Sequence, residues 1–88
     1  GTGGAGFRFM FAAFLQEAAG LLNKPELKEH AKEMTRIGDQ WREFAFEAGR
    51  MCKGRPEPGS TYGTLADKLE AIGRAEKVLF KQLAKLPL

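Results

Sequence analysis

The stretch PELKEHAKEMTRIGDQWREFAFEAGRMC, residues 25–52, decides the fold. Met34, Trp41 and Ala48 recur every seven residues, and so do Ile37, Phe44 and Met51. Such spacing places these side chains on one face of a helix. Beside them runs a column of small residues, Ala31, Gly38, Ala45 and Cys52. Large side chains next to a small column let a neighbouring helix approach closely, as interdigitating ridges require. Gly38 and Gly49 each give up about 1 kcal/mol of helix propensity relative to Ala, and close backbone contact is the natural compensation. The ends are marked as well. Pro25 suits a first helical turn and Glu26 sits beside the positive end of the helix dipole. Gly54 fits the left-handed cap and Pro56 forbids continuation.

Two further periodic stretches flank this one. From about Phe7 to Leu22, the residues Phe7, Met10, Phe11, Phe14, Ala18 and Leu21 recur at three- and four-residue spacing. From about Thr64 to Leu86, the residues Leu65, Leu69, Ile72, Leu79, Leu83 and Leu86 form a narrow, near-heptad seam. Thr64 with Asp67 resembles a capping box at its start, and Pro87 stops it. The pattern predicts one all-α domain over residues 1–88, a three-helix up-down-up bundle with a long central helix. Its helices are expected at about 7–22, 25–52 and 64–86, after a glycine-rich entry at 1–6.

The first helix is apolar nearly all round, since Arg8 is the only charged residue between Gly1 and Leu15. A helix apolar on every side is expected to be buried on every side, and two neighbours do not suffice for that. Phe9 and Ala13 lie opposite the Phe7–Phe11–Phe14 face. Phe9 and its neighbours are therefore expected to meet a further surface, either a second copy of the chain or another domain.

Composition narrows the function classes. With 43% hydrophobic and 28% charged residues, the chain is too apolar for a disordered segment. No apolar run approaches the roughly 18 residues of a membrane span. The opening Gly1-Thr2-Gly3-Gly4-Ala5-Gly6 lacks the basic and apolar regions of a secretory signal. One cysteine, Cys52, excludes an internal disulfide and fits a reducing compartment, so the expected location is cytoplasmic. A start without Met, at a glycine-rich segment, reads as a piece of a larger protein.

No group of residues commits to catalysis. His30 and Glu26 stand four apart, but a metal site needs three or four ligands and the chain has one His. Cys52 lacks the helix N-terminus that activates a thiol, and 22 residues of straight helix, about 33 Å, separate it from His30. The glycine-rich opening lacks the lysine-plus-hydroxyl ending of a phosphate loop. Glu76 falls on the leucine seam, where a carboxylate needs a partner such as Arg36, Arg42 or Arg50. Lys77, Lys81 and Lys85 complement the helix dipole, and the formal charge of +3 is too small to point to nucleic acid. The reading is no catalytic, cofactor or metal residue, no nucleic-acid partner and no membrane span.

Three stretches together carry a family likeness: residues 1–8 (GTGGAGFR), 14–19 (FLQEAA) and 37–42 (IGDQWR). They resemble the C-terminal, uncharacterised helical domain of butirosin-biosynthesis-protein-H-like proteins, over about residues 1–45. In that family an upstream domain resembles cysteine-peptidase folds and, in the butirosin member, transfers an aminoacyl group from a carrier protein to an aminoglycoside. The resemblance implies that this chain is a non-catalytic accessory domain of a larger acyltransferase- or peptidase-like protein, with its glycine-rich opening at the junction. The resemblance places the cysteine and histidine of that transfer in the upstream domain, so Cys52 and His30 do not inherit the role, and fold analogy transfers no activity. Gly3, Gly4, Phe7, Arg8, Phe9, Asp39, Trp41 and Arg42 are the expected junction residues. The rival expectation is a free-standing interaction module that homodimerises through its Phe-rich first helix.

Overall fold

The computed structural model describes residues 3–86, in which three helices follow one another: α1 (Gly3–Leu21), α2 (Glu26–Cys52) and α3 (Tyr62–Ala84). At 1.5 Å per residue the 27 residues of α2 span about 40 Å and set the length of a molecule measuring 49 × 19 × 16 Å. The chain runs up, down and up, with α2 packed against both neighbours. Among the described residues, no Cα of α1 comes within 8 Å of one in α3. The bundle is thus two helix pairs sharing α2, and side chains alone close the third side.

Backbone chemistry fixes the turns. Asn23 takes the left-handed conformation (φ 52°), and the Lys24 and Asn23 amides donate back to the carbonyls of Ala19 (3.0 Å) and Gly20 (3.4 Å). This is a Schellman stop with Asn in the usual glycine place. Gly54 (φ 74°) ends α2 in the same way, with Gly54 N–H donating to Met51 O (3.0 Å) and Arg55 N–H to Arg50 O (2.9 Å). Pro58 and Gly59 (φ 83°) then turn the chain, closed by Ser60 N–H to Glu57 O (2.9 Å).

Three boundaries differ from expectation. Helix α1 begins at Gly3, so Gly3, Gly4 and Gly6 are helical rather than an entry loop; Gly1 and Thr2 lie outside the described residues. Helix α3 begins at Tyr62, because the cap is Thr61 and not Thr64. The two threonines form the reciprocal box: Thr64 N–H donates to Thr61 Oγ1 (3.0 Å), and Thr61 N–H to Thr64 Oγ1 (2.8 Å). Helix α3 also ends at Ala84, two residues before the expected stop.

The core joins two clusters. Ala12, Met34, Ile37, Ile72 and Leu79 form one, and Leu15, Ala19, Leu27 and Ala31 the other; half-buried Phe11 and Leu83 touch both. Met34 and Ile37 are wholly buried, each contributing about 1.5–3 kcal/mol by the apolar surface withdrawn from water. The small column of α2 works only where α1 lies over it. Ala31 and Gly38 are buried, whereas Ala45 and Cys52 are exposed, which corrects the packing role expected of Cys52.

The larger correction concerns α1. Its buried stripe is Ala12, Leu15 and Ala19, while Phe7, Met10, Phe14 and Leu21 face outward. Phe11 and Ala18 sit at the edge, and Phe9, expected on the outside, turns toward α2. The reason is steric: Ala12 and Ala19 let two helix axes approach, which a row of phenylalanines does not.

Candidate functional site

The first place of interest lies where α1 crosses the middle of α2, and it begins with a glycine. A Cβ built on Gly38 would stand 2.7 Å from Phe9 Cε1, so the ring occupies the room that the missing side chain leaves. The Arg42 guanidinium lies over the same ring, 5.7 Å from its centroid. Close approach of α1 at this point carries Arg8 over the Trp41 ring, 4.6 Å from the centroid.

Arg8, Trp41 and Glu76 come from three different helices and meet at one oxygen. Glu76 Oε1 accepts Trp41 Nε1–H at 2.6 Å and also accepts Arg8 Nε–H. The ion pair is largely shielded, with Arg8 and Glu76 side chains 17% and 18% exposed. Burial alone would push the Glu76 carboxyl up; hydrogen bonds from Arg8 and Trp41, with the Arg8 charge, outweigh it and hold the group below its ordinary 4.5. A carboxylate held by two donors is a poor proton acceptor at neutral pH. The cluster is therefore a clasp, joining α1 to α3 where their backbones stay apart. It replaces the expected partners of Glu76: Arg36 instead pairs with Glu33, Arg50 pairs with Glu57 (3.1 Å), and Arg42 covers Phe9.

Asp39 and Arg42 are exposed and line a wide, shallow groove with Glu43, Phe46, Glu57 and Lys68. Of the eight residues expected at a junction, the structure brings Arg8 together with Trp41 and Phe9 with Arg42. Phe7 lies on the outer face of α1, and Gly3 and Gly4 in its first turn. His30 is half-buried beside Glu29, Glu33 and Arg36, and Cys52 is a free, exposed thiol. Among the described residues, no three His, Cys, Asp or Glu side chains converge on a metal position, and no helix is long and apolar enough to cross a membrane.

The second place is the outward face of α1. Phe7 is 59% exposed, Met10 74%, Phe14 60% and Leu21 79%. Rings link this face to α3: Phe7 stacks on Phe11 (6.2 Å), Phe11 on Phe14 (5.9 Å), and Phe11 meets Phe80 at 5.9 Å, itself 41% exposed. Toward the end of α1, Phe14, Ala18, Leu21 and Leu22 line an apolar hollow. The spacing of Met10 and Phe14 was visible in the sequence, but their exposure was not.

A model of a domain of unknown function, DUF4872, matches residues 1–83, and the chain belongs to that family. No curated protein and no solved structure matches it.

Proposed function

We propose that this DUF4872 domain is an accessory helical domain, without chemistry of its own, that attaches a larger protein to another surface through the outer face of α1. One observation carries the reading: four large apolar side chains in a row, Phe7, Met10, Phe14 and Leu21, each leave more than half their surface in water. With roughly 150–250 Å² for each aromatic side chain and somewhat less for Met and Leu, the row exposes on the order of 500 Å², the size of the largest apolar patch on a typical monomer, which is often functional. The clasp of Arg8, Trp41 and Glu76 supports that face from within, because it fixes the rotation of α1 about its axis.

The finer reading is that the larger protein is an acyltransferase- or cysteine-peptidase-like enzyme of the butirosin-H-like kind, at work in the cytoplasm. It draws its support from the three stretches that carry the likeness. Exposed Asp39 and Arg42 are then further candidates for the junction with the enzyme domain. The test is thiol labelling of Met10→Cys in a Cys52→Ser background, in the 88-residue chain and in the protein encoded by the whole reading frame. In the larger protein, or in the chain at high concentration, the thiol at position 10, followed by peptide mass spectrometry, is expected to react about 10-fold more slowly than in a free peptide, as a covered site does. Equal, fast rates in both at every concentration would remove the docking face.

A further inference from the structure

We infer that the occupant of the outer face of α1 is the same face of a second copy of this chain, paired about a two-fold axis running along the helices. The inference rests on the reading of that face as a docking surface and names its partner. At 100° per residue, the outermost line of α1 passes through Met10 and Glu17. On one side of it stands a bulky column, Phe7, Phe14 and Leu21; on the other stands a small one, Gly6, Ala13 and Gly20. All six are exposed.

The small column has no explanation inside the monomer. Gly6 and Gly20 each cost about 1 kcal/mol of helix propensity against Ala. A Cβ on either would meet nothing within 4 Å. Gly38 shows what a helical glycine does elsewhere in this fold: it receives a phenylalanine ring from the neighbouring helix. A two-fold axis along α1 sets the bulky column of each copy over the small column of the other, so both strips find the shape they lack.

Area agrees with self-pairing. Glu17 is the only charged residue on these three lines, and exposed cations, Lys77 and Lys81, flank Phe80 on the α3 side of the patch. The two-fold axis sets Glu17 beside Glu17 of the second copy at one end of the face, so added salt is expected to strengthen the pairing. About 500 Å² from each partner gives roughly 1,000 Å² in all, the lower bound of a specific interface. Exchange between monomer and dimer is expected in the micromolar range, the weak end for an interface of this size.

Sedimentation equilibrium of the 88-residue chain tests this, from about 1 to 200 μM. The expected result is a reversible dimer of the 9.7 kDa chain. Met10→Glu and Phe14→Glu should each weaken it about 100-fold, because a charge would be buried against apolar surface. Both sites are exposed in the monomer, so helicity and melting temperature at 1 μM should not change. Phe46→Glu, at an exposed ring on α2, should leave dimerisation intact. A chain monomeric at every concentration, larger irregular aggregates, or equal weakening by Phe46→Glu would each overturn the inference. If the chain is monomeric while Met10→Cys is shielded in the larger protein, a domain of that protein is the occupant and only the second copy falls. If the chain is monomeric and the thiol reacts fast in both, the docking reading falls too.

Discussion

The two faces of α1 share one period and have opposite fates. The inner one holds Arg8, Phe9, Ala12, Leu15 and Ala19; the outer one holds Phe7, Met10, Phe14 and Leu21. Both follow three- and four-residue spacing, and the outer is the oilier. Yet the inner face is buried. What separates them is bulk at the contact line. Small residues bring α1 close enough for one ring to enter the space over Gly38, and close contact gains more than a larger number of distant apolar groups.

The comparison can be broken most severely from the inside. Leu15→Ala should destabilise the monomer by about 2–4 kcal/mol, since it opens a cavity at a site 4% exposed. Chemical denaturation at 1 μM chain reads that loss. Gly38→Leu should cost about 2–3 kcal/mol, because the Phe9 ring already fills the space and α1 would be forced outward. The accompanying sign is loss of near-ultraviolet circular dichroism from Trp41, whose cover by Arg8 depends on that approach.

The clasp should come next in size. Glu76→Gln removes the carboxylate charge that accepts from Arg8 and Trp41 and should cost about 1–2 kcal/mol at neutral pH. Its sign with pH is definite. A carboxyl held below 4.5 in the folded chain contributes stability that is whole above 4.5 and is lost as pH falls through the folded value. The stability difference between wild type and Glu76→Gln should therefore be constant from pH 8 to 5 and shrink below that, in paired urea titrations. Glu33 is likewise held low, by its hydrogen bond from Arg36, so the variant keeps part of the acid sensitivity.

The smallest effect belongs to the outer face. Phe14→Ala should change monomer stability by no more than about 0.5 kcal/mol, as at other exposed sites. A loss comparable with that of Leu15→Ala would mean that the two faces are assigned the wrong way round.

Much of this architecture is legible in the chain itself. The periodic columns of α2 identify the longest helix, and Pro25 and Gly54 mark its ends, because caps are local chemistry. The face of α1 is not legible, since two stripes share one period and periodicity carries no label for inside. Arg8 adds to the confusion, because a charge on the inner stripe makes it look like the outer one. The partner of Glu76 was equally hidden: Arg36, Arg42 and Arg50 are more numerous, but each is taken by a nearer group. A signal was there to use. Arg8 is the lone charge in an apolar run and Glu76 the lone charge in a leucine seam, and two such misfits satisfy each other when their helices meet. Exposure of Ala45 and Cys52 was hidden for a different reason, as the reach of α1 along α2 is a tertiary fact.

The most direct test of a two-sided α1 compares thiols two residues apart, Met10→Cys and Ala12→Cys, each in Cys52→Ser. At 1 μM chain, the thiol at position 10 should be alkylated at about the rate of a free peptide, while that at position 12 should be strongly shielded. Raising the concentration to 200 μM should slow the first and leave the second unchanged. Equal rates at the two positions, or faster reaction at position 12, would contradict the account.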